Sequence, residues 1–139
     1  MRTRSRVVFP VCAGLLVVAG LGVGACAEPA GDNHRLTVEI ADTGTGYDGS
    51  FELSCDAHGG THPDKYAACN RLRQLTKTGE NPFRAVPADM GCTQQYGGLA
   101  TAHISGVWAN QAIDSTFNRV NGCEIFRWDA LTPVLPKIQ

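Results

Sequence analysis

The chain has 139 residues, twelve Lys or Arg against thirteen Asp or Glu, and six cysteines, which is enough polymer for one domain and not for two. Removing residues 1–25 takes away Arg2, Arg4 and Arg6 but no acid, so nine basic and thirteen acidic groups remain, a net charge of about −4. An acidic domain without a Lys/Arg cluster excludes nucleic acid as the expected partner, because phosphates select a basic face, and it disfavours docking of the folded part on a membrane surface.

In chain order the first element is an address. A basic start, the apolar run Val7 to Ala25 and a small-residue exit have the layout of a secretory signal rather than of a spanning helix. Residues 1–26 are assigned to this segment, 27–34 to a polar linker and 35–139 to the domain. Ala25-Cys26-Ala27 fits ordinary signal peptidase, with cleavage after Ala27. Val23-Gly24-Ala25-Cys26 reads as a bacterial lipobox, in which Cys26 becomes a lipidated first residue and the linker lifts the domain off the lipid. Both readings put the domain outside the cytoplasm, secreted or lipid-anchored to the outer face of the membrane, and Cys26 is its only expected membrane contact.

Leu36, Val38 and Ile40 alternate with polar residues, the period of a half-buried strand, and Phe51, Leu53 and Cys55 repeat the pattern after a Gly- and Asp-rich turn, so two antiparallel strands are expected. Pro63 suits a helix start. Tyr66, Cys69, Leu72 and Leu75 recur on one face before Gly79, which predicts a helix over 64–78. From Asn81 to Gly98 there is no strong period. Leu99–Trp108 and Ala112–Val120 read as a hairpin across Ala109-Asn110-Gln111, with Ile113, Ser115 and Phe117 on one side. Glu124–Leu131 reads as a short helix or turn, and Pro133 and Pro136 confine the tail to a sheet edge at best.

With Cys12 in the leader and Cys26 at its exit, the domain keeps Cys55, Cys69, Cys92 and Cys123, which allow three pairings. The sequential one closes loops of about 15 and 32 residues, each worth on the order of 3–4 kcal/mol in the loop-entropy model. A competing zinc reading uses His58 and His62 between Cys55 and Cys69. Against it, exported thiolates pair with one another, and neither C-x-x-C nor H-E-x-x-H occurs. Ser54, His58, His62 and Asp64 cluster in sequence as an imaginable triad, but nothing resembles a nucleophile elbow or an oxyanion donor pair. His62 is read as a structural residue bonded to loop backbone. No phosphate loop or dinucleotide fingerprint is present, so neither an enzyme nor a cofactor is expected.

What remains is the loop Met90–Gly98, which in the sequential pairing is fixed at Cys92 and then runs into a strand. A loop restricted before binding pays less ordering cost on association and suits partners that bind extended backbone. The bland reading is that Cys92–Cys123 merely staples a small sheet.

Cys55, Gly60-Thr61-His62-Pro63, Ala68-Cys69 with Leu72, Cys92 with Tyr96 four residues on, Gly106-Val107-Trp108 and Asn121-Gly122-Cys123-Glu124 together resemble the Streptomyces subtilisin inhibitor family of serine-protease inhibitors, over roughly 36–126. The resemblance implies an α+β fold with a five-stranded antiparallel sheet and two α-helices. It also implies the sequential disulfides Cys55–Cys69 and Cys92–Cys123, a homodimer through the sheet, and a subtilisin-like serine protease as partner. Carried over residue by residue, it makes Cys92, Thr93, Gln94, Gln95 and Tyr96 the reactive-site loop, Gln94–Gln95 the bond offered to the protease, and Asn121 the side-chain amide supporting the loop from beneath. Gln94 and the pair Gly97-Gly98 depart from the family pattern, and one extra residue lies between Tyr96 and Trp108. Gln94 stands where Met, Leu, Lys or Arg is common, and Tyr96-Gly97-Gly98 replaces Tyr-acid-Pro, exchanging a stiff φ for two permissive residues. These departures motivate an alternative, a weakly inhibitory or non-inhibitory surface lipoprotein module of the same fold.

Overall fold

The computed structural model describes residues 31–139; the signal segment, the lipobox and the cleavage site after Ala27 lie outside them. Leu36, Val38 and Ile40 are buried on one face of β1 (His34–Ala41), while Arg35 and Glu39 stay on the other face in water. β2 (Gly49–Ser54) pairs antiparallel with β1, Leu36 opposite Leu53 and Val38 opposite Phe51. On its other side β1 takes β3 (Thr101–Trp108), and β3 takes β4 (Gln111–Phe117), which gives the order β2-β1-β3-β4. Gly106 sits where β3 crosses Leu36 most closely. A side chain there would collide with the Arg35 carbonyl, and its φ of +130° is one that glycine adopts without cost.

The described residues hold four strands, not the five implied by the resemblance. In 81–98 Pro82, Pro87 and three glycines interrupt any ladder, and the carbonyls of Phe83 and Arg84 bond to side chains instead. Ser115 Oγ donates to Phe83 O at 2.8 Å and Arg127 Nε to Arg84 O at 2.7 Å. The β3–β4 hairpin is also tighter than expected. Gln111 pairs with Trp108, which leaves Ala109 and Asn110, at φ +50° and +63°, as a two-residue turn.

α1 (Lys65–Lys77) buries Ala68, Cys69, Leu72 and Leu75 on the sheet. Tyr66 does not belong to that face and is 61% exposed. Four residues spaced by three precess about 60° per step around a 3.6-residue helix, so Tyr66 lies half a turn from Leu75 and Ala68 takes its place. Pro63 precedes the helix, and Gly79, at φ +78°, ends it, with the Glu80 N–H bonded to Leu75 O. Cys55 and Cys69 are joined, with 5.5 Å between Cα atoms, tying α1 to the end of β2.

α2 (Gly122–Ala130) begins at Asn121, whose side-chain oxygen accepts the Glu124 N–H at 3.0 Å. Its Trp128 is fully buried and donates Nε1–H to Pro136 O at 2.8 Å. The tail is therefore core, not a sheet edge. Val134 and Leu135 are fully buried, each side chain contributing about 1.5–3 kcal/mol by leaving water. His62, 4% exposed, seals this region: Nδ1 accepts the Asp64 N–H, so Nε2 carries the proton and donates to Val134 O at 3.0 Å. The structural reading of His62 stands, and its partner is the C-terminal tail.

Candidate functional site

Residues 91–98 form no regular element, yet both ends of the stretch are fastened. At the upstream end Cys92 is bonded to Cys123 in the first turn of α2, with Cα atoms 5.4 Å apart. The next residue, Thr93, accepts the Gly122 N–H on its carbonyl at 3.0 Å. Glycine at 122 suits that approach, because a Cβ there would displace the Thr93 hydroxyl from its position.

At the downstream end Gly97 is gripped at both of its backbone polar groups. Its N–H donates to Arg119 O at 2.7 Å, and its carbonyl accepts from Arg119 Nε at 3.1 Å. The Arg119 guanidinium, with the side chain 7% exposed, is held in turn by Asp129 Oδ1 on α2 at 2.7 Å and lies 5.8 Å from the centre of the Trp128 ring. Gly97 also lies flat on α2: a Cβ would come within 2.8 Å of Ile125 and 3.0 Å of the Arg119 Cβ. The pair Gly97-Gly98 is thus not loose at its first member.

Between the two fastenings Gln94, Gln95 and Tyr96 are exposed, Tyr96 at 62%. A second arginine secures the segment that leads in. Arg127 on α2 donates to Phe83 O, Arg84 O, Thr116 O and Ser115 Oγ, pairs with Glu124 at 3.2 Å, and stacks 3.9 Å over Phe117. Beside the loop lies an open groove of about 510 Å3, lined by Met90, Cys92, Thr93, Gln95, Phe126 and Arg127 among others. The segment before the loop, the loop itself and α2 form one mechanical unit. Three uncharged side chains are presented between fixed points, and none of them is a nucleophile, base or metal ligand set.

The five residues expected to form the loop are therefore contiguous and, from Thr93 to Tyr96, exposed. Asn121 sits at the start of α2, where its side-chain oxygen caps the helix; the bonds that reach the loop backbone come from Gly122 and Arg119. Neither residue stands out in the sequence. An isolated arginine reads as surface, and Gly122 reads only as the variable position of Asn-x-Cys-Glu.

The other constellations do not assemble. Ser54 Oγ donates to Asp32 at 2.6 Å, the His58 ring stacks on Tyr66 at 5.8 Å, and His62 faces the tail. All four domain cysteines are in disulfides, leaving no thiolate for zinc. Among the described residues no group of three or more His, Cys, Asp or Glu could hold a metal, and no helix is long and apolar enough to cross a membrane.

A family model described as subtilisin inhibitor-like matches residues 30–121, which takes in the sheet, α1 and the whole loop and stops just before Cys123. No curated protein matches the chain.

Proposed function

The chain belongs to the subtilisin inhibitor-like family and is therefore a protease inhibitor rather than an enzyme; from that premise we propose that it inhibits through Cys92–Tyr96, with Gln94–Gln95 as the bond offered. The observation that carries this is the mechanical one. The exposed residues Gln94, Gln95 and Tyr96 span two fixed points, Thr93 on Gly122 and Gly97 on Arg119, beside the Cys92–Cys123 bridge.

In this reading the loop lies in the protease cleft as substrate does, with Gln94 in the primary specificity pocket and Gln95 and Tyr96 on the leaving side. The protease serine adds to the Gln94 carbonyl and its proton passes to the protease's base. The Gln94–Gln95 bond breaks, and the Gln95 amine takes that proton. In an ordinary substrate the amine then departs. Here it stays in place, because the domain holds both stumps, so re-formation of the bond competes with hydrolysis of the acyl-enzyme. Binding is tight to the extent that the loop loses little freedom on association. Asn121, as cap of α2, supports the loop by fixing the helix that carries Gly122 and Cys123.

The same reading places the protein outside the cytoplasm, delivered by residues 1–26 and either released or held by lipid on Cys26; palmitate labelling of wild type against Cys26→Ala decides between these. It also carries a homodimer through the outer face of the sheet. Stoichiometric, slowly reversible inhibition of subtilisin by the purified protein tests the proposal.

Gln94 favours one further reading. An uncharged amide supplies neither apolar area nor charge to a specificity pocket, and leaving it unpaired there costs about 1–3 kcal/mol, or one to two decades of affinity. A weakly inhibitory or purely binding module would show rapid turnover of the Gln94–Gln95 bond without a lasting complex.

A further inference from the structure

The geometry points to Arg119 as the positioning residue of the amine-side stump, with Asp129 as the group that aims it. This rests on Gln94–Gln95 being the bond offered. Cleavage of that bond consumes one water and leaves a carboxylate on Gln94 and an amine on Gln95; resynthesis expels the water again. For resynthesis to compete, both new ends must stay where the bond was.

The acyl-side end is held covalently, two residues upstream, by Cys92–Cys123 and by the Gly122 N–H on Thr93 O. The amine-side end has no covalent tie near it. Its nearest anchor is Gly97, two residues downstream of Gln95, and the polar bonds at Gly97 all go to Arg119: N–H to Arg119 O at 2.7 Å, and O from Arg119 Nε at 3.1 Å. Gly97 and Gly98 contribute no stiffness of their own, so the order of this side comes from what grips it.

A lysine cannot replace the guanidinium, whose planar fork donates to Gly97 O from one nitrogen and to Asp129 Oδ1, at 2.7 Å, from another. The side chain is buried and Asp129 is half exposed, so the acid can be changed without opening the core. Ile125 closes the back of Gly97, with room for hydrogen only. The arrangement is symmetrical in effect: a disulfide on one side of the bond, made to Cys123 of α2, and on the other a buried arginine held by the half-exposed Asp129 of α2.

The test uses the purified protein as wild type, Arg119→Met, Arg119→Lys and Asp129→Asn. Two quantities are read: the equilibrium ratio of cleaved to intact Gln94–Gln95 bond under catalytic subtilisin, approached from both directions, and the amide hydrogen exchange of Gly97 in the free protein. The expected result is a cleaved-to-intact ratio raised about tenfold or more in all three variants, as the loss of a charge-assisted bond implies. Gly97 exchange should accelerate by a similar factor, while exchange at the core strand residue Ile104 is unchanged in Asp129→Asn. An unchanged ratio with unchanged Gly97 exchange in folded Asp129→Asn and Arg119→Lys overturns the assignment. If subtilisin neither binds nor cuts the wild-type loop at Gln94–Gln95, the reactive-site reading fails, and with it the role in resynthesis. Gly97 exchange still reports whether Arg119 orders the loop.

Discussion

If Gln94–Gln95 is the bond offered, as proposed, specificity turns on Gln94. Gln94→Met is expected to tighten inhibition of subtilisin about tenfold to a hundredfold, since it replaces an amide that must be desolvated with an apolar chain of similar length, and Gln94→Lys is expected to shift inhibition toward trypsin-like pockets. Inhibition constants that do not change across wild type and both variants would place the contact elsewhere. A second residue-scale prediction concerns His103, on the outer face of the sheet, with Nε2 2.7 Å from Asp114 and Nδ1 3.1 Å from Glu39. Those two hydrogen bonds, Asp114 first and Glu39 second, raise its pKa above the ordinary histidine value. The folded state therefore favours the charged ring. Its stabilisation is complete below an unfolded pKa of about 6.5, while the carboxylates stay ionised, and is lost as pH rises through the raised folded value. The side chain is about a third exposed and its partners more so, so solvent keeps the effect small. Urea midpoints at about pH 5.5 and about pH 9 should show a drop in wild type that is reduced in His103→Gln; equal drops would mean that the pairings do not survive in solution.

α2 and the tail behind it carry more of the molecule than their sequence suggests. The alternation in β1 and β2, the helical run to Gly79 and the β3–β4 hairpin were legible because each buries one face at a regular period. The tail is not legible as core because Pro133 and Pro136 exclude a ladder position, yet the buried Pro136 needs no partner for an N–H, and Val134 and Leu135 join the same hydrophobic core as Trp128. Leu135→Ala is expected to cost about 2–5 kcal/mol in chemical denaturation, and a cost under about 1 kcal/mol would return the tail to the surface. The stretch Met90–Gly98 is singled out in the sequence by its cysteine and by the resemblance, whereas its fastenings are not. Arg119 lies 22 residues from Gly97, and nothing in a single sequence couples a lone arginine to a distant carbonyl. Replacing Cys92 and Cys123 together by serine removes a closure worth about 3–4 kcal/mol in the loop-entropy model. The same change should turn Gln94–Gln95 into an ordinary, rapidly cut substrate bond; slow cleavage in that double variant would shift the rigidity of the loop onto the Arg119 side alone.

At the scale of the molecule the sheet has two faces with different duties. One is covered by the helices and tail; the other carries Arg35, Glu39, Glu52, His103 and Asp114. The proposed homodimer closes over this second face, and sedimentation at about 10 μM is expected to give twice the monomer mass, because an interface of standard size supports affinities in the micromolar range or better. A monomer at that concentration would remove the dimer from the account without touching the loop, which belongs to the opposite construction of disulfide, α2 and buried arginines. The central claim is that this construction makes Gln94–Gln95 a bond that a protease engages without consuming. It is tested most directly by titrating active subtilisin with the purified wild-type protein and mapping any cleaved bond by mass. Activity is expected to fall to an end point near one loop per enzyme, with Gln94–Gln95 the first bond cut and intact protein persisting at equilibrium. Full enzyme activity at micromolar excess, or cleavage that begins at another bond, would contradict it.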